Sequence, residues 1–162
     1  MTFNHFDEEG RAHMVDVRAK DITDREARAE AVIHLGPELL AAVQDREIAK
    51  GDVFGVARLA GIAAVKKTSD LIPLAHPLAI HHAAVEFFPD AAAGTVRLVC
   101  TVRAREKTGV EMEAMTGASV AALAVYDMCK GRDKGISIGQ VRLLFKSGGK
   151  SGTYRADEGT NS

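Results

Sequence analysis

The chain has 162 residues, 46% of them hydrophobic and 27% charged, the balance of a soluble globular protein with one substantial core. The formal net charge of −1 excludes a global basic field for nucleic acid, so any anion site must come from local clusters of Lys and Arg. No apolar run approaches the ~20 residues that span a bilayer. The N-terminal MTFNHFDEEGRAHMVD is too polar for a secretory signal. Cys100 and Cys129 have no paired spacing, so reduced thiols in a cytoplasmic protein are expected.

In chain order, residues 1–13 and 154–162 are polar and are expected to be flexible, leaving one domain at 14–153. Met14 to Val17 is strand-like and carries Asp16. Arg25 to Leu35 is read as a strand, broken by Gly36-Pro37, and Pro37 suits a first helical position. A short helix covers Glu38 to Arg46. Asp52 is the expected N-cap of a second helix, VFGVARLAGIAAVKK, whose small residues Gly55, Ala57, Ala60, Gly61, Ala63 and Ala64 permit close packing. In DLIPLAHPL, Pro73 and Pro77 hold Ile72 and His76 in extended conformations. His76 is thus placed on a stiff segment, where it is either a satisfied core residue or a held catalytic group. Ala79–Phe88 and Thr95–Arg105 read as strands joined by a hairpin at PDAAAG, and Ile136–Phe145 as a last strand. His81 and His82 are adjacent, point to opposite faces of a strand, and make a poor metal pair. The order is βαββαβ with its first helix doubled, which predicts an α+β, ferredoxin-like sandwich with an antiparallel sheet and helices on one face.

The stretch Lys107–Lys134, KTGVEMEAMTGASVAALAVYDMCKGRDK, reads as one long helix. Thr108 and Glu111 have capping-box spacing, and Gly131 suits a left-handed closing residue. Its middle is apolar nearly all round, so it is buried on several sides. Glu111 and Glu113 sit at its start; Asp127 and Lys130 share a face at its end. Glu113 and Asp127 lie 14 positions apart, ~21 Å along a straight helix, too far to serve one small reacting centre. Either each end belongs to its own site, or a second copy brings start and end together, as an isologous dimer does. Solvated helix-end charges are the plain alternative, but an acid at a C-terminus opposes the helix dipole.

Lys146-Ser147-Gly148-Gly149-Lys150-Ser151-Gly152 is not a phosphate loop, because position 144 is Leu and no helix follows. Its glycines could still turn backbone N–H groups toward an anion, with Lys146 at the strand end as the better site residue. Lysines recur at other element edges: Lys50, Lys66, Lys67, Lys130 and Lys134. With His76, Asp127, Glu111 and Glu113 they suggest a site for a small polyanion with acid–base groups.

The segments LIPLAHPL, KTGVEMEAMTGASVAALAVYDMCK, DKGISI and KSGGKSG together resemble the cyclic pyranopterin monophosphate synthase family, the C protein of molybdenum-cofactor biosynthesis. The resemblance runs from about Val15 to Tyr154. It implies a lyase that converts a cyclised GTP derivative to cyclic pyranopterin monophosphate and releases pyrophosphate. It also implies a ferredoxin-like fold and a homo-hexamer built as a trimer of dimers, with the active site near the dimer interface. By the same resemblance Asp127 and Lys130 are catalytic, with His76. Leu74, Ala75, His76, Met112 and Glu113 fall on substrate-binding positions, joined by Asp16, Arg25, Lys50, Glu111 and Lys146. The family commonly has Cys where this chain has Ala75, so that position is read as packing or backbone contact rather than thiol chemistry. Asp127 would act as base beside Lys130, with partial burial lowering the lysine's proton affinity. No metal site and no cofactor are read from the residues, and a Mg²⁺ requirement does not follow from them. A zinc cyclohydrolase would need clustered Cys and His ligands. The remaining alternatives are a non-catalytic GTP- or pterin-nucleotide-binding module and a purely structural oligomer.

Overall fold

The computed structural model describes residues 4–157. Strand β1 (Thr23–His34) is central, and its alternation sets the layers. Ala27, Ala29, Ala31 and Ile33 are fully buried on one face, while Arg28 and Glu30 belong to the other. Helices α1 (Pro37–Gln44) and α2 (Val53–Lys66) and the single turn α3 (Thr68–Leu71) follow. Next come the hairpin β2 (His82–Asp90) and β3 (Thr95–Glu106), the long helix α4 (Glu111–Cys129), β4 (Ser137–Ser147) and the two-residue β5 (Tyr154–Arg155). Every pairing is antiparallel and the sheet order is β2-β3-β1-β4-β5. Without β5 this is the expected ferredoxin-like βαββαβ sandwich. Helix α4 packs on β1, β3 and β4, and α2 packs on β2 and α4, so the helices cover one face.

Small side chains bring these layers close together. The alanines of β1 face a helix whose own buried residues include Ala114, Ala118, Ala121 and Ala122, all without exposed surface. Where α2 crosses α4, a Cβ added at Gly61 would lie 3.0 Å from both the Gly117 carbonyl oxygen and the Ala121 Cβ. One added at Gly117 would lie 2.6 Å from Cys100 Sγ. The small-residue stripe of the sequence thus has a packing use. Asp52 caps α2 as expected, accepting from the Gly55 N–H at 3.0 Å.

Several local expectations are corrected. Met14–Val17 forms no strand; it is irregular and joins no ladder of the sheet. Tyr154–Arg155, expected in a loose tail, pairs with Phe145 and Lys146 as β5. Of the remaining expected termini, residues 4–13, with a Phe6–Ala12 bridge, and residues 156–157 are described, and residues 1–3 and 158–162 lie outside the described residues. The capping box at Thr108 is absent: the N-cap is Val110, with no side-chain hydrogen bond. The Glu111 carboxylate instead fills the space beside Gly109 that a Cβ would occupy. Gly131 is not left-handed either. The helix runs out through Lys130 (φ −58°, ψ −19°) into turns, in which the Arg132 and Asp133 N–H groups both donate to the Cys129 carbonyl.

The α2–α4 contact makes a stability prediction. Gly117→Val should lower the urea midpoint, with a loss of about 1–3 kcal/mol from overpacking against Cys100 and Val65. An unchanged midpoint would mean that the helices can separate freely.

Candidate active site

The C-terminal end of α4 carries a compact charged cluster. Lys130 Nζ lies 2.7 Å from Asp127 Oδ1, one helical turn away. Lys50, held in the loop just before the Asp52 cap, donates to the Asp127 backbone carbonyl at 2.8 Å and lies 3.5 Å from Oδ2. The Lys130 hydrogen bond, then the Lys130 and Lys50 charges, hold the Asp127 carboxyl below the usual carboxylate range. The same hydrogen bond raises the proton affinity of Lys130, whose side chain is half exposed. This reverses the expectation that burial would lower it: there is too little burial to compete with the ion pair. Asp127 is thus an ionised carboxylate flanked by two lysines.

The opposite end of α4 gathers most of the other expected residues. Glu113 is 4% exposed, and burial, reinforced by the Glu111 charge, pushes its carboxyl up to about 7. It lines a small cavity of about 70 Å³ together with Val65, Lys66, His76, Leu78 and Ile80. His76 and the half-buried Leu74 and Ala75 lie in the irregular segment after α3. There the Ala75 N–H donates to the Ile72 carbonyl, a backbone role consistent with a position that needs no thiol. His76 Nε2 is 2.7 Å from the Val15 carbonyl, which puts Asp16 next to this end of the fold. Arg18 grips Asp16 and holds its carboxyl below the usual range. Met112 is exposed at the first turn of α4. Glu111 and Lys146 face a common groove with Tyr154.

The glycine-rich loop does something the sequence did not suggest. Arg25 donates from Nε to the Glu106 carbonyl (3.3 Å) and from Nη2 to the Lys107 carbonyl (3.1 Å). Gly148 and Gly149, with φ of 98° and 74°, lie against Arg25 where any Cβ would collide with its side chain. The loop is therefore a lid on Arg25, closed further by a hydrogen bond from Lys146 to Ser151. Lys107 sits at an element edge like Lys50, Lys66, Lys67, Lys130 and Lys134. Its Nζ donates to the Arg18 carbonyl at 3.0 Å.

Within one chain the two ends stay apart, so Asp127, Lys130 and Lys50 do not meet His76 and Glu113. Among the described residues no three His, Cys, Asp or Glu side chains cluster as metal ligands. Cys100 and Cys129 are buried thiols, and burial pushes Cys100 up to about 12. A wide hollow of about 1030 Å³ on the open sheet face contains none of the expected residues. Four of its guanidinium groups are in ion pairs, Arg97 and Arg142 with the buried Glu30 at 2.6 Å and Arg28 and Arg103 with Glu26, while Arg155 lies over the Phe145 ring.

Fold and site together define a ferredoxin-like α+β protein with acid–base groups at both ends of its buried helix. The chain belongs to the MoaC family, whose model matches residues 14–149. It is 68% identical over 158 residues to the cyclic pyranopterin monophosphate synthase of Geotalea uraniireducens, covering 98% of this chain and 99% of that one. The synthase of Pelobacter propionicus is 65% identical over 159 residues, again 98% and 99% of the two chains. That of Dinoroseobacter shibae is 53% identical over 153 residues, 94% and 97% of the two chains.

Glu113 gives a pH prediction. An ordinary Glu ionises near 4.5, so between there and about 7 the unfolded chain loses a proton that the folded chain keeps. The stability contributed by the protonated form is complete at acid pH and is lost as pH rises through about 7. Glu113→Gln should remove that loss: its urea midpoint relative to wild type should rise between about pH 5 and about pH 8. A pH-independent difference would show that Glu113 is ionised in the fold.

Proposed function

We propose that the chain acts as a cyclic pyranopterin monophosphate synthase, an enzyme of molybdenum-cofactor biosynthesis with lyase activity. The observation that carries this is 53–68% identity to such synthases over nearly the full length of both chains. The substrate on this reading is the cyclised GTP derivative, and pyrophosphate leaves as the pterin's cyclic phosphate closes.

The reaction must hold a triphosphate, move protons through the rearranging base, and stabilise the departing pyrophosphate. Lys50 and Lys130 suit the first and last tasks, since both side-chain amines sit beside Asp127 and present positive charge there. Asp127, kept ionised by them, is the base. His76 and Glu113 are the proton-carrying groups of the other end, with Leu74, Ala75, Met112, Glu111, Arg25, Asp16 and Lys146 shaping the substrate pocket around them. The catalytic domain on this reading is residues 14–153.

Because α4 holds the two sets ~21 Å apart, one copy supplies the Asp127 end and a second copy the His76 end. Dimers of this kind, assembled three to a hexamer, provide complete sites. Among the described residues no helix is long and apolar enough to cross a membrane, in keeping with the cytoplasmic location we propose.

Asp127→Asn and Lys130→Ala should each cut pyrophosphate release by at least ~100-fold while leaving solution mass unchanged. Turnover near the wild-type rate in either variant would contradict the assignment. Substrate binding without pyrophosphate release by the wild-type chain would make it a binding module instead.

A further inference from the structure

Two hydrogen bonds tie the irregular segment Val15–Arg18 across the start of α4. At one end His76 Nε2 lies 2.7 Å from the Val15 carbonyl oxygen. A carbonyl oxygen only accepts, so Nε2 carries the hydrogen, and the neutral ring keeps its lone pair on Nδ1. At the other end Lys107 Nζ donates to the Arg18 carbonyl at 3.0 Å. Between these anchors Asp16 is fixed by a local turn, accepting from the Arg18 N–H at 3.0 Å and from its guanidinium Nη2 at 2.7 Å. The Lys107 charge adds to the attraction on that carboxylate. The segment has no strand partner, so these contacts set its place. Lys107 is itself held, because its carbonyl accepts from Arg25 Nη2. One lysine thereby joins three things: the loop before α4, Arg25 under its glycine lid, and the segment that touches His76.

We propose that Lys107 is a positioning residue for the reaction. By holding Val15–Arg18 against the start of α4, it fixes His76 as the Nε2–H tautomer. Nδ1 is then the ring nitrogen left for the substrate, and Asp16 is set beside the same site. The claim rests on the reading of His76 as a site residue. Its physical content is that a ring without the Val15 contact offers either nitrogen, whereas the tethered ring offers one. Lys107 needs no contact with substrate to have this effect.

The test is ¹⁵N imidazole NMR on the full-length protein, at a pH where the ring is neutral, with pyrophosphate-release kinetics on the same samples. In wild type, His76 should show a protonated Nε2 and a lone-pair Nδ1. In Lys107→Met the signature should shift toward a tautomer mixture and kcat/KM should fall ~10- to 100-fold, the scale of a misplaced reacting group. Lys107→Arg, which can donate to the same carbonyl, should restore most of both. An Nδ1–H tautomer in wild type would overturn the proposal. So would an unchanged His76 signature in Lys107→Met, or a shifted signature with wild-type turnover. Failure of the underlying site reading looks different: His76→Ala would turn over at the wild-type rate while the wild-type tautomer remained as described.

Discussion

Helix α4 has ten of its nineteen residues buried, spread from Glu113 to Cys129, between the sheet on one side and α2 on the other. A helix of that length spans about 28 Å and, so clamped, cannot bend to bring its ends together. The separation of Asp127 and Lys130 from His76 and Glu113 follows from that rigidity. Were α4 short or broken, Asp127 and His76 could share a pocket within one chain. As it stands, the two groups of side chains lie at opposite ends of the helix.

The two groups differ in kind. At one end Asp127 is ionised and flanked by Lys130 and Lys50, with all three side chains about half exposed. Such a cluster offers fixed charge, suited to phosphate oxygens and to accepting a proton. At the other end Glu113 is buried and holds its proton to about pH 7, and His76 has one ring nitrogen committed to a backbone carbonyl. That end offers protons and defined orientation rather than charge. The rearrangement we propose for the chain needs both endowments, and the symmetric pairing of chains we propose would supply both twice.

The order of elements was legible because each announces itself by period or punctuation: the alternation of β1, the Gly36-Pro37 break, the Asp52 cap and the hairpin at Pro89–Gly94. The two-ended helix was legible from counting alone. Four features were not. The cap of α4 misled because Thr108 and Glu111 have the right spacing, yet Gly109 gives the Glu111 side chain room to fold back elsewhere. The Met14–Val17 segment misled because Met14, Val15 and Val17 look like strand residues, whereas the chain there is tied down by the His76 and Lys107 side chains rather than by a ladder. The lid over Arg25 looked like an anion-binding loop, because a glycine's permissiveness is visible in sequence but the group it accommodates is not. The Lys130 proton affinity was misjudged for a related reason: burial is a tertiary quantity, and here it loses to a 2.7 Å ion pair set by helical spacing.

The most direct test of a site shared between copies is subunit complementation. Asp127→Asn and His76→Ala chains, each inactive alone, are co-assembled in equal amounts and assayed for pyrophosphate release. In a mixed pair, one of the two sites draws both functional residues from intact positions. Random pairing should therefore restore roughly one quarter of wild-type activity. If the mixed protein stays as inactive as its parents although mixed pairs have formed, each site lies within a single chain and the account is wrong.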